Sequence, residues 1–394
     1  MSKGQAFSHF FSQILANFRA ARFDRQEAAG SVGDLGTYLP LLVGMVSCCG
    51  LDLASALLFS GLFNILTGLS FGLPMAVQPM KAIATVAITE GLTVPQILAS
   101  GILTGAVIFL LGLSGGISWL HRRIPWAVVR GLQLALGLSL IIKGIEMVAL
   151  TGGPWGTDSW AMGLLGALLL LTMAGDRRFP GALVLFLGGL LVLLLDHPAL
   201  WRELRLVLSL PHFASIPKED WWTALWKGTI PQIPLTTLNS VIAVCALSAD
   251  LFPHLPASPR KVAISVGLMN LFSCWFGAMP MCHGAGGLAG QYRFGARSAG
   301  SVLILGSVKI ILGLLFGNSL LGLIRHYPQS LLGVLLVFAG MELALVARDV
   351  KARDDFFAML LTAGAILALR STALGFAIGL ALALLLRHGF VRVQ

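Results

Sequence analysis

A lysine, a histidine and a group of glycines stand inside stretches of this chain that are otherwise lipid-soluble. The densest group is GAMPMCHGAGGLAGQYRFGARSAG, Gly277–Gly300, with five glycines by Gly290 beside Pro280 and His283. An uninterrupted membrane helix is not built this way. Glycine weakens a helix relative to alanine, and proline removes a donor and breaks the ladder. Irregular backbone at membrane depth persists only where protein buries it or a polar cavity bathes it. Met281–Leu288 therefore reads as the start of a half-helix with free N–H groups, carrying the partial positive charge that attracts an anion. A second odd segment, Met75–Ile83, holds Gln78, Pro79 and Lys81. A lysine there costs at least roughly 2.5 kcal/mol, so a role in neutralising an anion is one reading. A salt bridge to Asp34 or Glu342, or snorkelling, is the other. His283 is a donor to the anion, a proton carrier for coupling, or a structural histidine. Gly284, Gly286 and Gly287 let a ligand approach the backbone, or let helices pack closely. Lys143 and Glu146, one turn apart, read as a mutual pair.

Two further segments open on polar side chains where lipid-like ones are expected: GDLGTYLP, with Asp34, Thr37 and Tyr38, and PQIPLTTLNS, with Gln232, Thr236, Thr237 and Asn239. All are candidates for lining a cavity, and equally for capping or joining helices. Asp34 has three readings: cap, partner of Lys81, or proton carrier.

These residues are carried by a chain of 394 residues that is 57% hydrophobic and 11% charged, against roughly 25% charged in a soluble protein. That composition predicts an all-α polytopic membrane protein. Its net charge of +10 comes from short loops and signals orientation, not nucleic acid. Five cysteines in apolar runs read as small hydrophobes, and no ligand spacing suggests a metal or cofactor. Residues 1–31 form an amphipathic cytoplasmic segment, with Phe7, Phe10, Phe11, Ile14, Leu15 and Phe18 at helical spacing. No cleavable signal peptide is visible.

Apolar runs predict about fourteen segments in two sets of seven: 32–195, a non-cytoplasmic linker at 196–228 bearing Trp221, Trp222 and Trp226, and 229–388. The third segment of each set, 76–89 and 282–292, is too short to span the ~20 residues a bilayer needs. Asn64 precedes Pro74-Met75 by the interval at which Asn270 precedes Pro280-Met281. An odd number per set makes the repeats inverted, and paired interrupted segments then point to a transport site at the midplane. Lys and Arg divide about three to one across the alternating loops, which places both termini in the cytoplasm.

The blocks GDLGTYLP (33–40), VQPMKAIA (77–84), PQIPLTTLNSVIAV (231–244) and GAMPMCHGAGGLAGQYRFGARS (277–298) resemble the molybdate transporter family related to SulP sulfate permeases. The resemblance spans most of the chain. It implies the fold of uracil permeases and SulP proteins, with a core (32–118 plus 229–317) moving against a gate (126–195 plus 331–388). It implies uptake of molybdate, with sulfate or a general oxyanion as the alternative, in the cell membrane. A homodimer is a weaker implication, and a proton as coupling ion is the reading that Asp34 and His283 offer. Many SulP relatives carry a STAS domain after the last segment, and none is expected here. A nucleobase permease of the same fold is disfavoured, because 229–248 and 281–290 contain no Asp or Glu. An enzyme is disfavoured too: Cys282 and His283 are adjacent, but there is one membrane histidine and no metal-ligand spacing.

Overall fold

The structure is a computed structural model that describes residues 3–117, 119, 124–151, 153–174, 181–202, 205–206, 208–388 and 390. Arg122, Arg123, Arg177, Arg178 and Arg392, which enter the charge reading above, lie outside the described residues, as do the side chains of Phe7, Phe10 and Phe11. The protein is a helical, multi-pass membrane protein. Among the described residues seven helices are long and apolar enough to cross a bilayer: Arg25–Cys49, Leu53–Phe71, Val94–Ser114, Trp126–Ala149, Asp220–Leu251, Gly300–Gly317 and Gln329–Asp349. Three shorter apolar helices accompany them, Trp160–Met173, Gly181–Asp196 and Thr372–Arg387.

In chain order, α1 (Lys3–Ala20) and α2 (Arg25–Ser31) lead through a 3-10 turn into α3 (Leu35–Cys49). There follow α4 (Leu53–Phe71), β1 (Val77–Pro79), α5 (Lys81–Glu90) and α6 (Val94–Ser114), then α7 (Trp126–Ala149), α8 (Trp160–Ala174) and α9 (Gly181–Asp196). The linker ends early, at α10 (Asp220–Leu251), which places the three tryptophans on a helix. Then come α11 (Pro259–Ser273), β2 (Met281–His283), α12 (Ala285–Arg293), α13 (Gly300–Arg325), α14 (Gln329–Ala344), α15 (Arg353–Leu369) and α16 (Thr372–Arg387).

Glycines bring the long helices into backbone contact. A Cβ on Gly137 of α7 would lie 2.6 Å from the Gly340 carbonyl of α14, and one on Gly340 would lie 2.5 Å from the Gly137 carbonyl. Gly61 of α4 and Gly306 of α13 meet in the same way. Gly105 and Gly112 run α6 along α11, and Gly101 meets Cys274 and Pro280 beyond its end. Small residues at crossings are what apolar solvent demands, since lipid gives no hydrophobic force to hold helices together.

The two odd segments are not helical from their first residue, which corrects the half-helices expected to start at Met75 and Met281. Each begins as a three-residue strand, and β1 pairs antiparallel with β2 in the register Val77↔His283, Gln78↔Cys282, Pro79↔Met281. Prolines supply the reason. A residue before proline is pushed out of the α region, and that holds for Gln78 before Pro79 and Met279 before Pro280. The asparagines matched in the sequence hold these strands. Asn64 Oδ1 accepts from the Val77 N–H at 2.7 Å, and Asn270 Oδ1 accepts from the Met281 N–H at 2.8 Å. Asn270 Nδ2 also donates to the Met281 carbonyl at 2.6 Å. The all-α expectation is thus amended by one buried two-stranded ribbon.

Candidate functional site

Antiparallel pairing turns the two strands into a brace from which two short helices depart. Strand β1 delivers Lys81 to the first position of α5, and β2 delivers Gly284 to the N-cap of α12. Both helix starts open on one cavity of about 580 Å³. Side chains of a strand alternate between faces, so directly paired residues share one. Gln78 and Cys282 are such a pair, and both line the cavity. Val77 and His283 are the neighbouring pair and point away from it.

Of the predicted residues, Gln78, Lys81, Gln232, Gly284 and Gly286 line the cavity, with Thr37 and Asn239. Lys81 is half-buried and forms no ion pair with Asp34 or Glu342 among the described residues. Its ammonium is therefore free for a ligand. Gln232 plays a part that spacing alone did not suggest. Its Oε1 accepts from the N–H groups of Ala82 and Ile83 at 2.9 and 3.3 Å, so it caps α5, and its Nε2 donates to Thr236 Oγ1 at 2.8 Å. The starts of the two short helices therefore differ in their free N–H groups. On α12 the N–H groups of Ala285, Gly286 and Gly287 have no acceptor among the described residues. On α5 the side chain of Gln232 holds two.

The remaining candidates lie outside the lining. His283 is fully buried, its Nε2 lies 3.1 Å from Ser265 Oγ, and its ring packs on the edge of Phe71. The alternation of β2 is the reason. Thr237 bonds back to the Ile233 carbonyl at 2.9 Å, and Thr236 orients Gln232. Tyr38 is buried with its hydroxyl 2.6 Å from Ser60 Oγ. Asp34 stands behind the wall and accepts a hydrogen bond from Gln78 Nε2 on Oδ1. Gly287 backs onto that bond: a Cβ there would lie 2.8 Å from Asp34 Oδ1 and 2.9 Å from Gln78 Nε2. Gly284 is as constrained, because the Gln78 carboxamide occupies the place of its missing Cβ. Lys143 and Glu146 form no ion pair within 4.0 Å among the described residues.

The opposite wall comes from helices that residue spacing did not point to, apart from Glu342, weighed above as a partner of Lys81. Gln133 of α7, Leu170 and Met173 of α8, and Phe338 and Glu342 of α14 face the same space. Gln133 is oriented from behind. Its Oε1 accepts from Arg130 Nη1 at 2.7 Å, and Arg130 is held by Asp349 at 2.5 Å and stacked on Trp126. That leaves the Gln133 amide donor for the cavity. Arg293, at the end of α12, lines an exposed edge. The signals available in sequence were slight: one amide in an apolar helix and one carboxylate at the end of another.

Comparison with known proteins fixes the family. A family model described as "Molybdate transporter of MFS superfamily" matches residues 26–140 and 224–343. The chain is 43% identical over 404 residues to "Molybdate transporter 2" of Arabidopsis thaliana, covering 92% of this chain and 87% of that one. The chain belongs to the molybdate transporter family. Family members with the printed name "Molybdate transporter 1" are 39% identical in Arabidopsis thaliana (96% of this chain, 91% of that one) and 37% identical in Chlamydomonas reinhardtii (91% of each). Among solved structures two share the fold. The murine Slc26a9 anion transporter in the inward-facing state gives a TM-score of 0.71 at 15% identity, over 100% of this chain and 73% of that one. The transmembrane domain of the cyanobacterial bicarbonate transporter BicA gives 0.63 at 14%, over 91% and 97%.

Proposed function

We propose that this protein takes up molybdate by alternating access, binding the anion between the N-termini of α5 and α12. The carrying observation is the convergence of the free Lys81 ammonium, the open N–H groups of α12 and neutral donors on one cavity. A tetrahedral dianion accepts hydrogen bonds in all directions, and helix N-termini with close glycine backbone meet that need. Gln78, Gln232, Thr37 and Asn239 add donors without charge, and Thr236, Thr237, Tyr38, Gly287 and His283 support them from behind. These donors read charge and shape that sulfate and tungstate share. Adjacent strand residues face opposite ways, which speaks against Cys282 and His283 acting as a nucleophile–base pair.

The packing supports a two-fold arrangement of fourteen crossings. Exchange of the two halves turns the α4–α13 contact into the α11–α6 contact, and α7 with α14 into itself. On this reading residues 32–118 and 229–317 form the core that carries the brace, and 126–195 and 331–388 form the gate that carries Gln133 and Glu342. The exposed edge at Arg293 then opens the cavity toward the cytoplasm, the side we assign to both termini. The membrane is the cell membrane, Asp34 is the proton-coupling candidate, and a homodimer is the assembly. Radiolabelled molybdate uptake into proteoliposomes tests the function. Saturable uptake is expected, and excess sulfate reports how far the site generalises. No uptake of molybdate or sulfate under any ion gradient overturns it.

A further inference from the structure

The most anomalous group in the molecule is a lysine that the anion site does not use. Lys309 lies in mid-α13, only 3% exposed. Its Nζ has no hydrogen-bond partner among the described residues. It lies over the face of Tyr38, 3.4 Å from the ring centroid. A cation–π contact offsets part of the loss of water, not the whole of it. A second unmet group stands nearby. Asp34 is buried, Oδ1 is taken by Gln78, and Oδ2 has no partner among the described residues. Asp34 and Lys309 interact electrostatically, though not as an ion pair within 4.0 Å. The Tyr38 hydroxyl is engaged by Ser60 of α4. The other charged or titratable groups around Asp34 are Lys81 of α5 and Cys282 of β2.

Resting on the function proposed above, we propose that Lys309 is the internal counter-ion of Asp34 and that this pair carries the proton accompanying the anion. With Asp34 ionised, the two charges cancel behind the wall. When Asp34 takes a proton, the ammonium is left uncompensated beside the cavity and strengthens the pull on a dianion. Gln78 is the link, since one amide both holds Asp34 and lines the site. A proton bound and an anion bound thus favour each other, and the effect is reciprocal.

The test is the pH dependence of the molybdate KM for uptake, measured in wild type, Lys309→Met, Asp34→Asn and the double variant. One coupled proton gives at most about tenfold per pH unit. Wild type is expected to tighten by about threefold or more per unit as pH falls. Both single variants and the double are expected to be flat, Asp34→Asn near the acid affinity of wild type and Lys309→Met weaker. A residue that only supported packing would lower yield or maximal rate and leave the slope. Lys309→Met retaining the wild-type slope overturns the proposal. Melting temperatures of the four proteins in detergent give a second readout that needs no substrate. Each single variant strands a buried charge, so the double is expected to melt above both singles, while additive losses overturn the pairing. Absence of molybdate uptake in wild type counts against the proposed function instead, and the melting cycle then judges the pair.

Discussion

Gly284 and Gly286 stand two residues apart at the start of α12, yet the structure separates them sharply. At Gly284 the backbone is extended, φ −118° and ψ 127°, a conformation alanine adopts without strain. Only space matters, and the Gln78 carboxamide fills it. Gly284→Ala must expel that amide. Overpacking costs about 1–3 kcal/mol, and stranding the buried partner Asp34 costs about 1–3 kcal/mol more. The sum, about 2–6 kcal/mol, corresponds to at least about a thirtyfold loss in uptake at low molybdate, at 1.4 kcal/mol per tenfold. At Gly286 nothing lies within 4 Å of an added Cβ. Gly286→Ala displaces no protein atom, so its melting temperature should hold at the wild-type value, whereas Gly284→Ala should melt lower. Initial rates in proteoliposomes, normalised to reconstituted protein, measure the loss at Gly284, and thermal melting in detergent compares the two. A double variant with Gln78→Ala isolates the clash: Gly284→Ala should cost little once the amide is gone. Wild-type uptake in Gly284→Ala, or equal damage from both alanines, would refute the reasoning.

Three further outcomes follow from the same geometry. Lys81→Met removes a charged donor worth about 1.5–3 kcal/mol, so molybdate affinity measured by calorimetry should fall by about ten- to a hundredfold. Gln133→Leu removes the donor that Arg130 and Asp349 orient across the cavity, and should raise the uptake KM by about five- to tenfold, with a lower melting temperature because the buried Arg130 Nη1 loses its acceptor. His283→Ala should lower thermal stability through the lost Ser265 and Phe71 contacts while KM stays within about twofold.

Much of the candidate cavity's lining was legible in the chain because a membrane makes polar residues conspicuous. Gln78, Lys81, Gln232, Gly284 and Gly286 were found as polar or glycine positions in apolar runs, and all five share the cavity. The matched asparagines were found by interval, and each holds a strand. His283 was legible as odd but not in direction. A three-residue buried strand has no alternation to read, so its face emerges only from the register with β1. Gln232 as a cap is also a tertiary fact, since it acts on residues about 150 positions away. Gln133 and Glu342 resemble ordinary polar residues of their own helices until packing turns those helices toward the brace. Lys309 was visible only as a lysine inside a segment, and its significance rests on the company of Asp34 and Tyr38.

The claim on which all this depends is that the anion sits between the starts of α5 and α12. The most direct measurement is a structure of the protein with bound molybdate, with the metal located by its anomalous signal. The account predicts one molybdenum peak in the cavity, its oxygens within hydrogen-bond reach of Lys81 Nζ and of the Ala285–Gly287 N–H groups. A molybdenum peak elsewhere, with this cavity left to solvent, would contradict it.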